Sequence, residues 1–151
     1  MLSYIWRGGV KMKDHYSLTE EPFSRNLFVP HDFVVKQIKL TSDELTFVFE
    51  DDITYHDGIK EMFPDKKSLV LHFHLIDETL FAYREKRKRF AWHKHGYFDF
   101  EERKLPDLCK QRLEYIDHLF SYQSIMIELW TASGALWIKA NADFVEYEWL
   151  E

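Results

Sequence analysis

Apolar and polar residues alternate at every second position through most of this chain. That is the pattern of a strand with one side buried and the other wet, because successive side chains on a strand point to opposite faces. In residues 44–50, Leu45, Phe47 and Phe49 point one way, and Glu44, Thr46 and Glu50 the other. Near the end of the chain, Val145, Tyr147 and Trp149 alternate with Glu146 and Glu148 in the same manner. Between such runs lie short polar stretches with turn chemistry: Thr41-Ser42-Asp43, Asp77-Glu78, Ser121-Tyr122-Gln123, Ala132-Ser133-Gly134 and Asn141-Ala142-Asp143. They predict strands over 32–40, 44–50, 67–76, 80–84, 90–98, 124–131, 135–140 and 144–150. Residues 113–120 carry Leu113, Ile116 and Phe120 at helical spacing, but the alternation that follows the next turn favours a hairpin there. Strands joined by short turns are most often antiparallel neighbours.

The predicted fold is therefore mainly β, or α+β, with an antiparallel meander forming a curled sheet, a sandwich or an open barrel, and one short helix. The helix is predicted within 100–110. Pro106 sits most easily in a first turn, so 106–111 is its firmest part, with Leu105, Leu108 and Cys109 toward the sheet. Lys67–Ile76 has apolar residues on both faces, which predicts a central strand covered on each side. Residues 51–65 form a connection with Asp57-Gly58 as a tight turn. Residues 1–30 read as an N-terminal arm, broken at Gly8-Gly9, Pro22 and Pro30, whose aromatic start packs on the body. Residues 31–151 form the single β-rich domain.

The 151 residues are 46% hydrophobic and 17% aromatic, enough for a core without disulfide or metal support. A formal charge of -6 works against nucleic-acid binding by the molecule as a whole. Cys109 is the only cysteine, and no secretory or membrane-spanning segment is expected; both fit a cytoplasmic protein.

His31-Asp32 opens the first strand. Later come Leu113-Glu114-Tyr115-Ile116-Asp117, Phe120-Ser121-Tyr122-Gln123-Ser124 and Glu128-Leu129-Trp130, and the chain closes on Glu146-Tyr147-Glu148-Trp149. In this order of elements the chain resembles small bacterial β-rich proteins, some similar to immunity proteins of toxin–immunity systems. The resemblance implies a single-domain cytoplasmic protein that neutralises a toxin, and it carries over no catalytic residue. His31-Asp32 itself reads as a pair that pins the strand entry.

Two groups of residues invite a functional reading. Tyr83, Arg84, Lys86, Arg87, Lys88, Arg89 and Trp92 form a basic ribbon between aromatics. Tyr, Trp and Arg are the residues interfaces favour, so these seven are the predicted partner-binding site. Reversing the charge of Arg87 and Arg89 together is expected to weaken capture of a protein partner. The same composition suits a contact with unpaired nucleic acid, or a solvated hairpin tip. The second group is two His-x-His pairs, His72 with His74 and His93 with His95, each sharing a face of one strand. Were those strands neighbours in register, four imidazoles could hold Zn or another first-row divalent metal, and a metal-dependent enzyme would be the alternative function. Glu50-Asp51-Asp52 lacks the calcium-loop pattern and reads as a solvated turn. No nucleophile elbow or phosphate loop occurs, and Cys109 reads as a small buried hydrophobe. The sequence thus points to a non-enzymatic protein-binding module with no cofactor and an undetermined oligomeric state.

Overall fold

The computed structural model describes residues 2–5, 11–20, 27–86 and 96–151. Its strands are β1 (Leu2–Ile5), β2 (Lys11–Ser17), β3 (Phe33–Leu40), β4 (Glu44–Phe49), β5 (Ser68–Lys86), β6 (Gly96–Phe100), β7 (Glu114–Ser121), β8 (Ser124–Thr131) and β9 (Gly134–Leu150). All pairings are antiparallel, in the order β1-β2-β9-β8-β7-β3-β4-β5-β6, and β9 also pairs with β5. That extra pairing closes β3, β4, β5, β9, β8 and β7 into a ring. The fold is mainly antiparallel β.

Two strands are longer than the sequence implies. Residues 77–78 and 141–143, read as turns, lie within β5 and β9. Each strand changes facing at that point. In β5 the buried positions run Leu69, Leu71, Phe73, Leu75, then Leu80 and Ala82; in β9 they run Leu136, Ile138, Ala140, Ala142, then Val145, Tyr147 and Trp149. The register breaks between Leu75 and Leu80, which pair with Ala142 and Ala140. Asn141 Nδ2 donates to Asp77 Oδ2 at 3.2 Å across this shared bend. Both chains thereby turn a corner together, as strands do where a sheet folds over on itself.

Two described segments of the first thirty residues are strands, 2–5 and 11–17. β2 pairs with β9 from Lys11↔Leu150 to Ser17↔Phe144, and β1 adds to β2. The hydrogen-bonding edge of the C-terminal half of β9 is thus satisfied by β2 on one side and β5 on the other. Residues 90–95 of the predicted 90–98 strand lie outside the described residues; β6 takes up Gly96–Phe100.

The helix is also revised. Glu102–Lys110 winds as a 3-10 segment that starts before Pro106. Proline has no N–H to give to a carbonyl four residues back and its ring crowds that carbonyl, so the tighter winding is favoured. Lys104 N–H to Glu101 O at 2.9 Å and Gln111 N–H to Leu108 O at 3.3 Å follow the three-residue pattern. Leu105 and Leu108 are buried and Cys109 is half-buried. A single α-turn, α1 (Ile59–Met62), follows Gly58, whose φ of 79° few other residues adopt.

The core fills the ring with aromatic rings. Phe47 meets Phe73 and Tyr115 edge-on, at 6.0 and 5.4 Å between centroids, and Phe33 meets Phe49 in the same way. Such geometry adds about 0.5–1.5 kcal/mol per pair beyond area burial.

Candidate functional site

Three places gather polar or aromatic side chains. The first is the outer face of β4, β5, β9 and β2. Register places Thr46, His72, Glu146 and His15 in one row across these strands. His72 bridges two carboxylates, with Nδ1 2.6 Å from Glu44 Oε1 and Nε2 2.7 Å from Glu148 Oε2. The two ring nitrogens thus tie β5 to carboxylates on β4 and β9. Glu44 lies below its ordinary pKa: burial opposes this, but hydrogen bonds from Thr46 and His72 outweigh it. His74 Nδ1 lies 2.6 Å from Asp143 Oδ1 and stacks on Phe144; His15 Nδ1 lies 3.3 Å from Glu146 Oε1. These contacts join neighbouring strands. They point the nitrogens of His72 at two different carboxylates rather than at one ion.

The second place is inside the ring and was not foreseen. A β-bulge at Ile116 breaks the register between Tyr115↔Leu129 and Asp117↔Glu128. The extra residue reverses the facing of the rest of β7, so His118 enters the core and Asp117 stays outside. His118 then bridges two buried phenols. Its Nδ1 is 2.7 Å from the Tyr115 hydroxyl, its Nε2 is 3.3 Å from the Tyr147 hydroxyl, and Tyr147 donates to Phe28 O at 2.7 Å. Only one proton arrangement satisfies every atom: Tyr115 donates to a bare Nδ1, and Nε2–H donates to Tyr147. Burial holds the His118 imidazole down at about 4 and pushes both phenols well above their ordinary range. All three groups are therefore neutral, and the chain of hydrogen bonds fixes residue 28 to the core.

The adjoining strand entry is pinned twice more. His31 Nδ1 donates to the carbonyl of the bulge residue Ile116 at 2.8 Å, and Asp32 N–H donates to Tyr115 O at 2.8 Å. Asp32 has φ 66°, a left-handed value that Asp tolerates better than most residues. His31 Nε2 also lies 3.4 Å from Asp32 Oδ2.

The third place is the outer face of β7, β8, the N-terminal half of β9 and the C-terminal half of β5. One row runs Leu119, Met126, Lys139, Phe81; the next runs Asp117, Glu128, Trp137, Tyr83; Trp130 follows on β8. Leu119 is 60% exposed, Phe81 52%, Trp130 46% and Met126 36%. Beside Trp130 lies a shallow groove of about 280 Å³ lined by Gln111, Arg112, Glu114, Trp130, Thr131 and Ala132. Tyr55, 62% exposed, sits near enough for Arg112 and Glu114 to act on its phenol. That phenol donates to Glu50 and is pushed up to about 12, chiefly by this hydrogen bond to an anion. Glu50 also accepts from Val34 N–H at 2.5 Å and lies 3.3 Å from His56 Nε2.

Of the predicted partner-binding residues, Tyr83 is half-buried beside Phe81, with centroids 6.4 Å apart. Arg84 is half-buried and bonds Ser133 Oγ in the turn between β8 and β9. Lys86 is the last residue of β5, and Arg87, Lys88, Arg89 and Trp92 lie outside the described residues. Of the predicted metal ligands, His72 and His74 share an outer face and each binds carboxylate; His93 and His95 lie outside the described residues. Among the described residues no group of three or more His, Cys, Asp or Glu side chains is placed to hold a metal ion. Nor is any helix there long and apolar enough to cross a membrane.

The fold and these three places define a ring-closed antiparallel β protein with a neutral polar core network and an aromatic outer face. No protein-family model, curated protein or solved structure matches the chain.

Proposed function

We propose that the protein is a non-enzymatic binding module that captures a partner protein on the outer face of β7, β8, β9 and β5. One observation carries this reading. Leu119 on β7, Met126 and Trp130 on β8 and Phe81 on β5, beyond β9, lie on a single face and are each at least 36% exposed. Scattered exposed apolar residues are ordinary, but four on one sheet face, with Lys139 between Met126 and Phe81 and Glu128 between Met126 and Trp130, favour an interaction surface of mixed apolar and charged character. Trp137 and Tyr83 continue it in the neighbouring row, and Arg84 follows Tyr83 on β5. Neutralisation of a toxin in the cytoplasm is the form of capture that the sequence resemblance favours.

The test is affinity capture from cell extract with the native chain and with Leu119→Asp and Phe81→Asp variants. Both are expected to lose the captured protein while keeping the native melting temperature. Glu146→Gln, on the histidine-bearing face, is the control and is expected to keep it. Retention of the same partner by both aspartate variants would refute the assignment of this face.

A further inference from the structure

Lys139 stands exposed on the docking face and pairs with no carboxylate among the described residues. Its neighbours across the strands are apolar, Met126 on β8 and Phe81 on β5. In the next row Glu128 and Asp117 lie directly opposite one another on β8 and β7, beside Trp137 and Tyr83, with no cation in that row. Like charges opposed in this way weaken a strand pair. Glu128 Oε1 accepts the Trp130 indole N–H at 2.9 Å, which holds that ring one row further along β8. The face thus carries an unanswered cation and, one strand over, unanswered anions.

Their placement has a symmetry. Neighbouring strands lie about 4.8 Å apart, and same-face residues about 6.8 Å apart along each. On that spacing Leu119, Met126, Trp137 and Tyr83 form one oblique apolar line over β7, β8, β9 and β5. Lys139 and Phe81 lie on one side of the line, Glu128 and Trp130 on the other. Lys139 is directly across the line from Glu128, and Phe81 is across it from Trp130. A second copy turned half a revolution about this line lays its Glu128 on Lys139 and its Trp130 against Phe81, and each contact occurs twice. The residues on the line meet their own counterparts. A two-fold interface has to be self-complementary in this manner, whereas an unrelated partner sets no such condition on where the charges fall.

We infer that the face pairs with itself: before capture, the protein is a two-fold dimer in which a second copy of the chain covers Leu119, Met126, Trp137 and Tyr83 until the partner protein displaces it. The inference rests on the docking reading above, because it uses the same face, and it adds what occupies that face beforehand. Pairing also hides apolar side chains that would otherwise adhere to other proteins.

Sedimentation equilibrium of the purified chain, with Lys139→Glu and Glu128→Lys variants, is the test. The native chain is expected to dimerise. Each variant sets like charges against each other at both repeats of the contact, so its self-association should weaken about tenfold or more. Mixing the two variants in equal amounts should restore the dimer as a mixed species, because each brings the charge that the other lacks. The chain carrying both reversals should pair with itself for the same reason, which separates a lost contact from a lost fold. A native chain that stays monomeric, a dimer that neither reversal weakens, or reversed chains that recover neither on mixing nor in combination would overturn the inference. If the native chain is monomeric while Leu119→Asp and Phe81→Asp still lose the captured protein, only the self-pairing is wrong. If pairing recovers on mixing while those two variants keep the captured protein, the dimer stands and the capture reading is wrong.

Discussion

His118→Phe is the sharpest perturbation of this molecule, because its effect shrinks as pH falls. The imidazole is 6% exposed and is held at about 4 in the fold. Unfolded, it titrates at about 6.5. As pH falls below that value the unfolded chain takes up a proton that the folded chain refuses, so stability is lost between about pH 6.5 and about pH 4, and no further loss comes from this group below that window. The gap corresponds to about 3 kcal/mol. The phenylalanine variant lacks this slope. At neutral pH it should instead be the weaker protein, by about 1–3 kcal/mol, because the buried Tyr115 hydroxyl loses the acceptor that His118 supplies. Urea denaturation of both proteins from neutral to about pH 4.5 is the assay, and the two stability curves should converge as pH falls. Adding Tyr115→Phe removes the stranded hydroxyl and should recover part of the neutral-pH loss without restoring the slope. Parallel curves for native and His118→Phe protein would refute the placement of a neutral histidine between two phenols.

Other outcomes follow from single contacts. Deleting Ile116 takes out the extra residue and leaves Tyr115, Asp117 and His118 opposite Leu129, Glu128 and Ile127 in unbroken register, so the variant should keep His118 inward and still unfold cooperatively, as should Ile116→Ala; a circular dichroism melt without a cooperative transition would count against this. His72→Ala is expected to cost about 1–3 kcal/mol and more than His74→Ala, because His72 serves two carboxylates, and chemical denaturation measures both. Glu50→Gln should bring Tyr55 ionisation down from about 12 toward the ordinary phenol range, read as an earlier step in ultraviolet absorbance on alkaline titration that Tyr55→Phe removes.

The strand content could be read from the alternation itself, as could the antiparallel hairpins around Ser42 and Tyr122. The alternation misleads at the pair of breaks at residues 77–78 and 141–143. Each interrupts the alternation as a turn would, yet the chain continues, because the two breaks meet at one corner and satisfy each other through Asp77 and Asn141. A single sequence cannot show that two irregularities are partners. The same limit hid the core network. Tyr115, His118 and Tyr147 come from β7 and β9, and only the parity slip at Ile116 hints that His118 faces inward. For the docking face, Met126 and Trp130 already alternate with the apolar face of their strand, whereas Leu119 and Phe81 look like core residues until register puts them outside. The N-terminal strands were missed because Gly8-Gly9 and Pro22 punctuate a segment too short to show its own period.

Ring closure joins residues 68–86 to residues 134–150, so the middle of the chain must wait for a distant segment before its backbone is satisfied. Contacts of such long sequence separation slow folding, since the intervening polymer must be confined before any reward is collected. A ribosome making this protein holds β5 half-paired until β9 emerges, and during that interval its bare edge is open to any other extended strand nearby.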